Sequence, residues 1–98
     1  MQLKLDKNQL SGNYIQFLRK AGYGYLKDKK TGQESFVRPV QGGFYPRFHI
    51  YAKETESELV LNLHLDQKKP SYKGSSAHNA EYEGFVVEQE MARLKSLI

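Results

Sequence analysis

Two neighbouring segments of the chain, residues 48–52 and 59–66, alternate between apolar and polar residues. A period of two is typical of β-strands that bury one face, and the polar stretch 54–57 between them is typical of a turn. In an antiparallel hairpin the two residue numbers of every pair have the same sum. The apolar residues of both strands lie on one face only if this sum is odd, and a sum near 111 places Phe48 opposite Leu63. A shift of two residues keeps the same faces, so the pattern predicts a hairpin with one apolar and one polar face.

Helices are predicted on both sides of this hairpin. A helical spacing of apolar residues that begins at Tyr14 predicts a short helix over about 12–21, with Ser11 as its N-cap and Gly22 as a left-handed C-cap. A second apolar stripe at helical spacing predicts a C-terminal helix from about Gly84. This stripe consists of Val87, Met91, Leu94 and Ile98.

Two further strands, over about 23–27 and 34–40, flank the turn-like sequence 28–32. Residues 1–10 are mixed and fit either a short strand or a loose terminus. The resulting prediction is a single α+β domain over residues 1–98, with an antiparallel four-stranded sheet that carries a short N-terminal helix and a C-terminal helix on one face. The predicted core consists of Phe48, Ile50, Leu61, Leu63, Leu65, Val87, Met91 and Leu94.

The composition is that of a small globular protein of 98 residues, of which 39% are hydrophobic and 27% are charged. The absence of cysteine excludes disulfides, thiolate metal sites and thiol chemistry. No apolar run approaches the ~20 residues of a membrane span, so we expect a cytoplasmic protein that has no membrane partner. A net charge of +4 permits binding to nucleic acid but does not require it.

Polar side chains gather on the second face of the central hairpin. The alternation that buries the leucines points the intervening residues of both strands to the other side of the sheet. These residues are Arg47, His49, Tyr51, Asn62, His64 and Asp66. The chain has three histidines, and the third, His78, lies in the long polar segment that follows Asp66.

Imidazole and carboxylate groups suit a divalent metal ion such as zinc or manganese, and three protein ligands leave a position for water. The residues that could converge on such an ion are His49, His64, Asp66 and His78. Without a metal, the two strand histidines could act as acid and base, with a phosphate held by Arg47 and Lys68. The alternative interpretation is a solvated polar sheet face that binds no ligand.

Tyrosines are interleaved with basic residues along much of the chain, which contains seven of them. Aromatic rings combined with cations are what single-stranded nucleic-acid sites use, whereas tyrosines half-buried at sheet edges are the structural alternative. The residues predicted to bind single-stranded nucleic acid are Arg47, Tyr51, Lys68, Lys69, Tyr72 and Lys73.

The segments His64–Tyr72 and Ala77–Gly84 resemble a family of short bacterial proteins of unassigned function. This resemblance covers most of the chain and implies no activity.

A second resemblance concerns a histidine, an H-x-D pair and a later histidine before an acidic-tyrosine segment. Their order is similar to that in the phosphoesterase domain of bacterial DNA ligases, which uses such residues to hold its metal. The resemblance implies that the metal ligands here are His49, His64, Asp66 and His78. The first two histidines are 15 residues apart, which is wider than in that family, and the chain is much shorter.

Three functions stay open from the sequence. One is a small basic nucleic-acid-binding module that uses the open sheet face. The second is a metal-dependent phosphoesterase that acts on nucleic acid or nucleotide ends. The third is a protein-interaction domain whose sheet is covered by a partner, or by a second copy of the chain in a homodimer.

Overall fold

An antiparallel sheet and two helices make up the part of the chain, residues 1–67, 80–81 and 84–98, that the computed structural model describes. The strands are β1 (Gln2–Asp6), β2 (Gly24–Lys27), β3 (Glu34–Pro39), β4 (Arg47–Glu54), β5 (Glu58–Asp66) and β6 (Ala80–Glu81), and the helices are α1 (Tyr14–Lys20) and α2 (Phe85–Ser96). The first helical segment of the chain is only a 3-10 turn, Lys7–Gln9, which precedes α1. The predicted α+β class is confirmed.

The sheet differs from the prediction in its number of strands. It has five strands in the order β1-β5-β4-β3-β2 instead of four, and the two-residue β6 pairs with the end of β5. The additional strand is β1, where Leu3 and Leu5 lie opposite Leu61 and Leu59. Both leucines of β1 are buried, so the short apolar alternation at the N-terminus belongs to a strand.

The register of β4 and β5 in the central hairpin differs by two residues from the predicted register. Phe48 lies opposite Leu65, and His49 lies opposite His64. The turn causes the difference, because the Thr55 backbone N–H donates to the Glu58 carbonyl at 2.9 Å and the connection is therefore tight. A shift of two residues leaves every side chain on its predicted face.

All eight residues of the predicted core are buried in a single cluster. Leu18 of α1 and Val87 of α2 belong to the same cluster, which places both helices on the apolar face of the sheet. The predicted apolar stripe of α2 is one residue shorter than expected, because the helix ends at Ser96 and Ile98, beyond it, is 41% exposed.

The N-cap of α1 is Asn13 and not Ser11, because the helix begins at Tyr14. The Asn13 side-chain oxygen accepts a hydrogen bond from the Gln16 backbone N–H at 2.8 Å. Gly22 has a φ angle of 99°, which confirms the predicted left-handed position after the helix. Among the described residues, no helix is both long and apolar enough to cross a membrane.

A buried carboxylate anchors α2 to the rest of the fold. The Glu90 side chain accepts a hydrogen bond from the Tyr23 hydroxyl at 2.5 Å and two from Arg93 at 2.8 and 2.9 Å. Arg93 also donates to the Ala21 carbonyl at 2.7 Å, which ties the helix to the end of α1. Burial raises the pKa of Glu90, but the donors from Arg93 and Tyr23 outweigh this effect and hold the pKa below its usual value. Glu90 is therefore ionised and paired at neutral pH.

Candidate metal centre

Three groups with metal-binding chemistry meet on the polar face of the central hairpin. The pairing of β4 with β5 sets His49 opposite His64, and Asp66 lies two residues after His64 on the same face. The side chains of His49, His64 and Asp66 are 8%, 9% and 17% exposed. Groups that are this far removed from water need partners, and each finds one within the cluster.

Both imidazoles converge on one carboxylate. His49 Nδ1 lies 2.9 Å from Asp66 Oδ2, and His64 Nε2 lies 2.9 Å from Asp66 Oδ1. Because an ionised carboxylate can only accept, each ring carries its proton on the nitrogen that faces Asp66 when no metal ion lies between them. One ligand atom from each of the three residues lies within 4.8 Å of the others. An ion placed between them would replace the protons that the rings now share with the carboxylate.

Arg47 donates to the same oxygen of the Asp66 carboxylate as His49 does. Its Nε donates to Asp66 Oδ2 at 2.9 Å, and its guanidinium group lies over the Tyr45 ring at 4.6 Å from the centroid. Burial raises the pKa of Asp66, but the hydrogen bonds from His49, His64 and Arg47 outweigh burial and lower the pKa well below its usual value. Asp66 is therefore ionised at neutral pH.

Ser35 holds the far side of the His49 ring. Its hydroxyl oxygen lies 2.8 Å from His49 Nε2 and 3.5 Å from the Leu26 carbonyl, to which it can donate. In the neutral tautomer with the proton on Nε2, His49 donates to Ser35 and Nδ1 has a free lone pair for a metal ion; in the other tautomer Nδ1 donates to Asp66 and Nε2 accepts from Ser35. Partners of this kind orient the histidine ligands of metal sites.

The ring of Tyr51 covers both histidines. Its centroid lies 4.6 Å from that of His49 and 5.7 Å from that of His64, and the two histidine rings are 4.8 Å apart. This stacking limits rotation of the imidazoles, so their nitrogens stay directed at the carboxylate.

The donor set fits a divalent transition-metal ion. Two imidazoles and a carboxylate suit zinc and manganese, and three protein ligands leave at least one position for water or substrate. The three residues come from two adjacent strands. Neighbours on the same face of the sheet hold each of them in place: Ser35 contacts His49, Tyr51 stacks on His64, and Arg47 donates to Asp66. In such a site His49, His64 and Asp66 would be the ligands.

The sequence predictions for this face have different outcomes. Three of the four predicted metal ligands come together, while His78 lies outside the described residues. Of the residues predicted to bind nucleic acid, Arg47 and Tyr51 belong to the cluster around Asp66. The others lie outside the described residues: Lys68, Lys69, Tyr72 and Lys73.

Ser35 is the member of the cluster that the sequence analysis missed. The signal was present, because Phe36 is apolar and buried and its neighbour Ser35 must therefore face the opposite side of β3. Recognising it required the pairing of β3 with β4, which the alternation pattern alone did not define.

Comparison of the chain with protein-family models, with curated proteins and with solved structures found no match. The resemblances noted in the sequence therefore stay predictions.

Proposed function

We propose that this protein is a metal-dependent phosphoesterase that acts on nucleic acid or nucleotide ends. The observation that carries the proposal is the convergence of His49 Nδ1 and His64 Nε2 on the carboxylate of Asp66. Two histidines and one carboxylate on a rigid hairpin provide three ligands and leave room for a reacting group.

The reaction adds water across a phosphate ester bond, so that a P–O bond breaks and an alcohol and a phosphate leave. These residues would hold a divalent ion that, when bound, would lower the pKa of water toward about 7 and neutralise charge on phosphate oxygens. Asp66 supplies the permanent negative charge, and Arg47 fixes the oxygen of Asp66 to which it donates. Ser35 and Tyr51 hold the imidazole planes, so the chain contributes a preorganised site that need not rearrange during the reaction.

The choice of a phosphate ester as substrate has two supports. The order of His49, His64 and Asp66 in the chain is similar to that in the phosphoesterase domain of bacterial DNA ligases. A guanidinium group, that of Arg47, lies beside the ligands, and guanidinium groups are well suited to bind phosphate oxygens.

Zinc or manganese is expected to raise the melting temperature, because the ion binds only the folded chain. An ion at 100 times its Kd contributes about 2.7 kcal/mol, which for a domain of this size is a rise of about 10 °C or more. Differential scanning calorimetry with added metal and with chelator measures the rise. Because a metal ion binds the unprotonated nitrogen of an imidazole and competes with protons for it, the rise should be larger at pH 8 than at pH 6.

The matched variants for this test are His64→Ala, which removes a ligand, and Lys4→Ala, which changes an exposed side chain of β1. The rise should vanish in the first and persist in the second. Metal-loaded wild-type protein should also release phosphate from a phosphorylated oligonucleotide, and His64→Ala protein should not. A melting temperature that changes neither with added metal nor with chelator would contradict the proposal.

A second candidate function is non-catalytic binding of single-stranded nucleic acid. It is favoured by the stacking of Arg47 on Tyr45 and by three exposed lysines at the end of β2 and in the turn after it, Lys27, Lys29 and Lys30. Such a module would bind oligonucleotides without changing them.

Fluorescence anisotropy with labelled DNA and RNA oligomers should then give micromolar binding at low salt. The affinity should fall as salt rises, with a log–log slope of about 0.7 for each phosphate contact, since bound phosphates release counterions. Absence of binding to every oligomer at about 50 mM salt would reject this second function.

A further inference from the structure

A serine, a histidine and a carboxylate are hydrogen-bonded in series on the polar face of the sheet. Ser35 Oγ lies 2.8 Å from His49 Nε2, and His49 Nδ1 lies 2.9 Å from Asp66 Oδ2. The two nitrogens of one ring therefore face a hydroxyl on one side and a carboxylate on the other. Serine hydrolases use this connectivity, in which the histidine takes the proton of the serine and the carboxylate orients the ring.

The hydrogen bonds direct the hydroxyl proton of Ser35 at the ring. The other acceptor within reach, the Leu26 carbonyl oxygen, lies 3.5 Å from Oγ, which is longer than the usual range of about 2.5–3.0 Å for an O–H donor. An ionised carboxylate can only accept, so the proton of the neutral His49 ring lies on Nδ1 and the lone pair lies on Nε2. The Ser35 hydroxyl therefore donates to the nitrogen that can act as its base.

A groove on the same face gives a substrate access to Ser35. Its volume is about 200 Å³, below the range of about 300–1,000 Å³ that is usual for pockets that hold drug-sized ligands. Ser35 lines this groove and is only 4% exposed, so a reacting group must enter the groove to reach Oγ. The lining also includes Leu26 and Tyr51, which offer apolar surface to a short chain of carbon atoms.

The groove also contains a neutral hydrogen-bond donor close to Ser35 in the chain. Gln33 is exposed, lines the groove and comes two residues before Ser35, which places both on the same face in extended backbone. Its side-chain amide can donate to the oxygen of a substrate carbonyl when negative charge develops there.

We propose that Ser35, His49 and Asp66 form a nucleophilic triad that hydrolyses short-chain carboxylic esters. This activity needs no metal ion and goes beyond the proposed function. The small volume of the groove favours a short acyl group, and one neutral donor suits a carbonyl oxygen.

The reaction has two steps. In the first, Ser35 Oγ bonds to the carbonyl carbon and its proton passes to His49 Nε2, after which the ester C–O bond breaks and the leaving alcohol takes that proton. In the second, water attacks the acyl group, its proton passes to Nε2, and the bond between the acyl carbon and Oγ breaks as Oγ regains the proton. The sum is one ester and one water converted to one carboxylic acid and one alcohol.

The first test is covalent labelling by a small alkyl fluorophosphonate, in which a P–O bond to serine forms as fluoride leaves. All samples contain chelator. We expect peptide mass spectrometry of the wild-type protein to place the adduct on Ser35. Ser35→Ala should lose the label, whereas Ser57→Ala, which changes an exposed serine of the β4–β5 turn, should keep it. Protein unfolded in urea keeps Ser35 but loses the hydrogen bonds, so it should not react.

The second test is hydrolysis of 4-nitrophenyl esters in chelator, followed by the absorbance of the released alcohol. Ser35→Ala should lower kcat/KM for the acetate ester at least about 100-fold, and circular dichroism shows whether it stays folded. Gln33→Ala should lower kcat about tenfold or more with little change in KM, because its donor acts mainly in the transition state. The octanoate ester should react at least about tenfold more slowly than the acetate ester, since the groove is small.

The adduct on Ser35 in the wild-type protein decides the inference even if Ser35→Ala fails to fold. Absence of an adduct, an adduct on other residues, or equal labelling of the wild type and Ser35→Ala would overturn the triad. Because every sample contains chelator, the proposed function is judged separately. Labelling of Ser35 in a protein whose melting temperature does not respond to metal supports the triad and contradicts the phosphoesterase, and a metal response without labelling does the reverse.

Discussion

Replacing Glu90 with alanine is expected to lower the free energy of unfolding by about 3–5 kcal/mol. The substitution leaves the hydroxyl of Tyr23 buried without its acceptor and removes the carboxylate that pairs with Arg93. The cost comes mainly from the Tyr23 hydroxyl, which is buried and loses its acceptor, and from the ion pair with Arg93, whose side chain is 34% exposed and regains water only in part. Urea denaturation followed by circular dichroism measures the change.

Two milder substitutions and one control make this result interpretable. Tyr23→Phe removes one hydrogen bond and keeps the ring, so we expect a loss of about 1 kcal/mol. Glu90→Gln keeps an acceptor but loses the charge, and its effect should lie between those of Tyr23→Phe and Glu90→Ala. Glu88→Ala changes an exposed side chain of the same helix and should stay within about 0.5 kcal/mol of the wild type. Equal losses in Glu88→Ala and Glu90→Ala would show that the buried network does not stabilise α2.

Replacing Asp66 with asparagine is expected to abolish the metal-dependent rise in melting temperature and to cost about 3 kcal/mol of stability without metal. An amide cannot accept from both imidazoles and Arg47 as the carboxylate does, and it offers a divalent ion no negative charge. Calorimetry with and without zinc measures both effects in one experiment. Glu58→Gln, at the exposed start of β5, is the control and should keep the full rise.

The same substitution should change the response to acid. The folded-state pKa of Asp66 lies below its usual value of 3.8, so its contribution is complete above that pH and is lost as the pH falls through it toward the folded-state pKa. Wild-type protein should therefore lose stability below about pH 4 more steeply than Asp66→Asn protein. Parallel acid-unfolding curves for the two proteins would count against the ionic pairing of Asp66.

The faces of the central hairpin could be predicted from sequence, whereas its register could not. Alternation fixes that Ile50 and Leu63 point one way and that His49 points the other, and the structure confirms this. Two registers satisfy the same alternation, and the choice between them depends on the hydrogen bonds that Thr55 forms within the turn. Turn geometry of this kind is a local three-dimensional property that a hydrophobic pattern does not encode.

The candidate site could be predicted in part for a related reason. His64 and Asp66 share a face because they are two residues apart on one strand, and His49 joins them because the strands are consecutive. Ser35 comes from a third strand, so its contact with His49 depends on a pairing that sequence separation obscures. Glu90 gave a different signal, since it follows Val87 at helical spacing and therefore lies on the buried side of α2.

The separation of the apolar core and the polar cluster onto opposite faces of β4 and β5 bears on how the protein can be changed. Side chains on opposite faces of one strand do not touch, so the effects of substitutions on the two faces should be additive. Stability gained by repacking the core against α2 could then offset losses caused by new side chains around Asp66. The sheet thus offers a scaffold on which ligand preference can be selected in the laboratory while the folded state is maintained.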